Sequence, residues 1–171
     1  MFKVNLSSHI GFNTAQQQIM YGAIKKFEQV MNSDELKNMI LNYSCSLGNQ
    51  FADNQNLSNQ QIFEKIFAGE EDYQAGTDYT ADLFLVLVPK RKPLFSRNPA
   101  IGYGRPKQKE IYTYSWWFNG TQDYEYAGHI AHEWSHKVGF DHSFGPTPTR
   151  DFSVPYAFGN IIEKLAKKIN N

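Results

Sequence analysis

The chain has 171 residues, 41% of them hydrophobic, and its charges balance to +0 with a pI near 7.0. That is enough apolar material for one domain with its own core, and the neutral balance argues against nucleic acid or an anionic membrane as the main partner. A single cysteine, Cys45, excludes an internal disulfide and reads as a small buried residue.

In chain order, residues 2–10 alternate apolar and polar as a strand does, with His9 read as structural. Ile19, Ala23, Ile24, Phe27, Val30 and Met31 repeat at helical spacing behind Thr14, which predicts a helix over 14–31. Ser33-Asp34-Glu35 opens a short helical turn, and 39–47 is expected to contain a second strand. Residues 48–60 are rich in Asn, Gln, Asp and Ser and read mostly as a polar loop. Near its end Ser58 and Gln61 form a capping box for a helix over 58–68, with Ile62, Phe63, Ile66 and Phe67 on one face and Gly69 closing it.

Glu70, Glu71 and Asp72 open an acidic loop, 70–78, that lacks the ligand spacing of a calcium loop and reads as solvated. The near-continuous apolar run 81–88, ADLFLVLV, predicts a strand buried on both faces. Lys90-Arg91-Lys92 reads as a solvated loop. The glycine-rich stretch 101–106 fits an edge strand or a connecting loop, and 110–118 alternates as another strand before the Asn119-Gly120 turn. Aromatics reach 15%, enough both to pack a core and to line a cleft. No run is long enough to span a membrane, and 1–20 lacks the features of a signal peptide, so the compartment stays open.

A helix predicted over 121–138, capped at Thr121, carries the densest chemistry. From His132 the chain reads HEWSHKVGFDH, an unbroken H-E-x-x-H-x-x-G-x-x-H ending at His142. Four residues of α-helix rotate by about 40° and rise roughly 6 Å, so His132 and His136 leave one face and can meet at one metal. Glu133 is turned about 100° from His132, beside the metal and not on it, where it can take a proton from the attacking water. Gly139 suits the left-handed turn that ends the helix, after which His142 returns as a third ligand. Three protein ligands with one open position describe a catalytic Zn2+ site. His129 is surplus to that set and is expected to pack or hydrogen-bond nearby. Asp141 is either an outer acceptor for the ligands or a loop charge. Three prolines (Pro146, Pro148, Pro155) make 143–155 a rigid loop, and Ile161, Ile162, Leu165, Ala166 and Ile169 predict a terminal helix over 157–169.

HEWSHKVGFDH resembles the zinc signature of the metzincin clan of metalloendopeptidases. Ser143 after the third histidine is similar to the matrixin branch, whereas Ser135 stands where matrixins usually have glycine, so the resemblance is to the clan. It implies an α+β zincin-like fold over 1–171 as a single catalytic domain. The sheet would be twisted, mostly parallel and five-stranded, with an antiparallel edge strand, a zinc helix and a C-terminal helix. It implies a monomeric, zinc-dependent endopeptidase acting on protein or peptide substrates, with His132, His136 and His142 on the metal and Glu133 as general base. Two other classes stay open: a proteolytically inactive binding protein of this fold, and a zinc hydrolase of a non-peptide amide. Cys45 could alternatively be a thiol that blocks the zinc in a latent form, although no such motif surrounds it. Metzincins also place a methionine turn beneath the zinc, and here no methionine follows Met39. Pro155 or Val154 is expected to fill that space. Tyr156 either steadies the oxyanion of the transition state or packs against the terminal helix.

Overall fold

The computed structural model describes residues 1–46, 48–74, 76–94, 99–105 and 107–169. Its centre is β2 (Thr80–Val88), where Ala81, Leu83, Leu85 and Leu87 point inward and are buried. Each fully buried leucine contributes about 2 kcal/mol of transfer free energy. The intervening Asp82, Phe84, Val86 and Val88 are half-buried. The strand is therefore covered fully on one face only, a correction to the expectation from its apolar run. The Lys109 ammonium lies 4.6 Å from the centre of the Phe84 ring on that second face, which accounts for part of its shielding.

β1 (Lys3–Ile10) and β4 (Glu110–Tyr114) flank β2 in parallel, and β3 (Gly102–Gly104) pairs antiparallel with β4. The described sheet is four-stranded, in the order β1-β2-β4-β3, and the fold is mixed α and β. Among the described residues the expected fifth strand is absent. Residues 39–41 belong instead to α2 (Asp34–Leu41), whose cap Ser33 accepts from the Leu36 N–H and whose Leu36 and Ile40, four apart, are both buried. The apolar run Met39-Ile40-Leu41 was too short to outweigh a helix already started at Ser33.

α1 (Thr14–Met31) and α3 (Asn59–Ala68) lie within two residues of their expected bounds, with α1 capped by Asn13 and α3 by the Ser58–Gln61 box. The strand expected over 110–118 stops at Tyr114 and continues as one helical turn, α4 (Ser115–Phe118). Ser115 exchanges hydrogen bonds with the backbone of Lys90, and the turn drives Phe118 into the core against Phe12 and Tyr126.

α5 (Asp123–Lys137) is the helix that carries the histidine pair. Its cap is Gln122, whose N–H donates to Glu125, and not Thr121. Trp134 sits on its buried face against Phe2 and Phe27 and donates its indole N–H to Glu71. Glu71 also accepts from the Asp82 N–H. The acidic loop is thus tied at Glu71 between sheet and helix, and not simply solvated as expected. α6 (Val154–Ala166) begins three residues earlier than predicted. Pro155 falls in its first turn, where a missing N–H costs nothing. α6 lies against α5 where two glycines face: a Cβ on Gly159 would meet the Gly128 carbonyl at 2.9 Å and the His132 Cβ at 3.0 Å. No helix among the described residues is long and apolar enough to cross a membrane.

Candidate metal centre

The local chain path explains how the three histidines meet. His132 and His136 leave the same face of α5 with ring centroids 5.3 Å apart. The helix ends at Val138, and Gly139 takes a φ of 91°, a conformation that would strain any side chain. The Phe140 N–H closes back on Ser135, and Phe140 is buried, which anchors the turn. Gln55, from the polar loop before α3, donates to the Gly139 carbonyl at 2.6 Å and braces it from outside. Asp141 then caps the His142 N–H at 2.8 Å. The His142 ring comes to rest 5.1 Å from His132 and 4.9 Å from His136.

One donor atom from each of the three lies within 4.8 Å of the others. Hydrogen bonds orient two of the rings. His136 Nδ1 donates to the Phe140 carbonyl at 2.8 Å, and His142 Nδ1 to the Ser143 carbonyl at 3.0 Å. Each proton assignment follows from its carbonyl partner, and each leaves the Nε2 lone pair turned inward. His132 Nε2 and His142 Nε2 stand 3.2 Å apart. Burial holds His132 well below its ordinary pKa, with the neighbouring His136, His129, His142 and Arg150 charges pushing the same way. Burial also pulls His136 down to about 4. Three imidazoles whose ring nitrogens converge, two of them steadied by carbonyls behind them, form a donor set that fits a metal ion. Asp141 lies 3.7 Å from His136 Nδ1. The shorter Phe140 bond makes that carbonyl, not Asp141, the orienting partner.

Glu133 stands beside this set and is buried. Burial pushes its carboxyl up to about 8, while the Gly104 N–H, which donates to it, and the Lys137 charge pull it back. Gly104 is confined to glycine by space: a Cβ there would lie 2.9 Å from the Glu133 carbonyl and 3.3 Å from its carboxylate. β3 therefore runs directly along α5. His129 is buried under the same strand, its ring 3.1 Å from the Thr113 hydroxyl and 3.8 Å from the Glu133 carboxylate. Burial lowers its pKa to about 3. It packs and hydrogen-bonds outside the three-histidine group, as expected from its position. His9 lies against Phe12 and Tyr21.

Tyr156 comes from the first turn of α6 and is only half-buried. Its ring meets His132 edge-on at 4.5 Å and lies 4.7 Å from His142. Burial raises its hydroxyl pKa, and the Arg150 charge opposes the rise. Val154 and Pro155 are buried in the same turn, but the ring seen against the imidazoles is that of Tyr156. A cleft of about 880 Å3 opens in front, with Tyr103, Glu133, His136, His142, Arg150 and Tyr156 in its walls.

Lys137 is a residue to which the sequence assigned no role. It is fully buried, and its ammonium donates to the carbonyls of Arg105 (3.0 Å), Gln108 (2.5 Å) and Glu110 (2.8 Å). Burial pulls its pKa down to about 8, which leaves it charged at neutral pH. It ties the turn between β3 and β4 to the end of α5, and so holds the edge strand beside Glu133. Lys137→Met should lower unfolding stability by about 2–4 kcal/mol, because three carbonyls lose their donor. The midpoint of denaturant unfolding measures this. An unchanged midpoint would show that water replaces the ammonium without cost.

Compared with known proteins, the chain matches no family model, no curated protein and no solved structure.

Proposed function

We propose that this chain is a zinc-dependent metallopeptidase of the metzincin type, cutting within protein or peptide substrates. The observation that carries the reading is the convergence of His132, His136 and His142 at a cleft, with Glu133 next to them. An all-imidazole set of three suits zinc better than a hard cation, and three ligands leave a position open for chemistry. β3 supports a peptide substrate. Among the described residues it pairs only with β4, so its other edge is available to an extended chain. The described sheet has one strand fewer than the clan resemblance implies, and Tyr156 stands where a methionine turn was expected to bear on the site.

Zinc, when bound, supplies Lewis-acid polarisation of the scissile carbonyl and of the attacking water. Beside a divalent cation the Glu133 carboxyl falls back into its ionised form, ready to accept a proton. Glu133 takes the proton as the water oxygen bonds to the carbonyl carbon. It then returns that proton to the amide nitrogen as the C–N bond breaks. In this reading Gly104 steadies the carboxylate through its N–H, and the Tyr156 hydroxyl donates to the negative oxygen of the former carbonyl.

Metal analysis and peptide hydrolysis test this together. The purified protein should hold about one zinc per chain. It should cut a panel of unfolded proteins, lose that activity to a chelator, and regain it on zinc addition. Cleavage that ignores the chelator, or full zinc occupancy in His136→Ala, would overturn the assignment. Hydrolysis of small amides but no peptides would point to the non-peptide class.

A further inference from the structure

We propose that Arg150 is the specificity residue of this cleft, and that it selects peptides carrying a carboxylate close to the scissile bond. The inference rests on the metallopeptidase reading and deepens it.

Arg150 opens the single turn Arg150–Phe152, between the loop after His142 and the start of α6. That turn is held rather firmly. The Ser153 hydroxyl donates to the Arg150 carbonyl at 2.6 Å, and the Ala52 N–H donates to the Phe152 carbonyl at 2.9 Å. The side chain reaches into the cleft wall, with its guanidinium carbon 4.8 Å from the centre of the Tyr156 ring. Since that ring is 4.5 Å from His132, the guanidinium stands one side chain away from the metal-binding set.

Among the described residues no carboxylate forms an ion pair with its guanidinium within 4.0 Å. The ion pairs among those residues within 4.0 Å are Lys26–Asp123 and Lys168–Glu35, and the two histidine–carboxylate contacts, His129–Glu133 and His136–Asp141, involve no arginine. Three carboxylates of the cleft are engaged elsewhere, Glu133 with Gly104, Asp141 with His142 and Glu125 with Gln122, and the fourth, Glu163, feels the charge of Lys167. Arg150 Nε is buried and has no hydrogen-bond partner among the described residues. A buried guanidinium donor without a partner costs free energy, which an incoming acceptor recovers. The planar fork of a guanidinium matches a carboxylate in shape, and partial burial strengthens the contact. In a peptide that carboxylate comes from an Asp or Glu side chain or from the free C-terminus.

Paired peptides separate these sources. One series exchanges Glu for Gln at positions flanking the cut. A second exchanges a free C-terminal carboxylate for an amide. The wild type should prefer the carboxylate member of one series by about 10- to 100-fold in kcat/KM, the range of one charge-assisted contact. In Arg150→Gln that ratio should collapse towards one, and Arg150→Lys should restore part of it. The series that shows the preference identifies the source. A wild type without preference in either series would refute the proposal, as would an Arg150→Gln protein that loses rate equally on both members. The equal loss would mean that Arg150 serves the common oxyanion or only supports Tyr156. Zinc content and melting temperature show whether Arg150→Gln is folded; if it is not, the ratio in Arg150→Lys decides, since a reach-dependent fork must fall below wild type there. Chelator-sensitive cutting of the neutral peptides tests the metallopeptidase reading separately, so the two can fail independently.

Discussion

Glu133→Gln should lower peptide turnover by about 100- to 10,000-fold while zinc content and fold stay in place. The size is that expected for removing a general base positioned at the reacting water. The separation between chemistry and metal follows from the helix: Glu133 is one residue from His132 and so projects about 100° away from the ligand face. Glutamine is the cleaner substitution here. Its amide oxygen still accepts from the Gly104 N–H that now meets the carboxylate, so β3 keeps its seat. Alanine would abolish the base equally but would also leave that N–H without a partner. Steady-state kinetics with metal analysis on the same preparation makes the comparison. A Glu133→Gln protein with near-normal peptidase activity would mean that the proton is taken by another group, or that the chain does no peptidase chemistry.

Tyr156→Phe should reduce turnover by roughly 10- to 1,000-fold, the range for losing one donor to a developing oxyanion. The ring itself is retained, so its edge-on contact with His132 and its contact with His142 survive. Zinc content and melting temperature are therefore expected to match the wild type. The sequence left Tyr156 between two roles. Its ring lies on the two histidines, and its half-exposed face belongs to the cleft, which favours the catalytic one. Activity within about a factor of two of wild type would return Tyr156 to a packing role.

The reason Tyr156 could not be placed from sequence is instructive. Its position depends on where α6 begins. Three prolines before it suggested a rigid loop up to Pro155. Pro155 instead occupies the first turn of the helix, the one place where proline fits without cost. That earlier start turns Tyr156 towards the imidazoles. A similar misreading produced the absent fifth strand. Met39-Ile40-Leu41 is apolar enough for either structure, and the choice was made by the Ser33 cap and by burial of Leu36 with Ile40.

By itself the sequence determined the features that rest on short-range geometry. Helical rotation brings His132 and His136 together, and Gly139 takes the backbone angle that reverses the chain. These need only bond angles and neighbours a few residues away. Tertiary structure alone decided which residues surround that site. Gly104 donates to Glu133 across 29 residues, Lys137 holds two carbonyls of the turn before β4 and one at its start, and Gln55 braces Gly139 from 84 residues away. The sequence assigned Arg150 no role, and the packing of the Arg150–Phe152 turn against α6 brings it over Tyr156. Contacts of this kind are set by burial and by pairing of polar groups between distant segments, and local spacing carries no record of either.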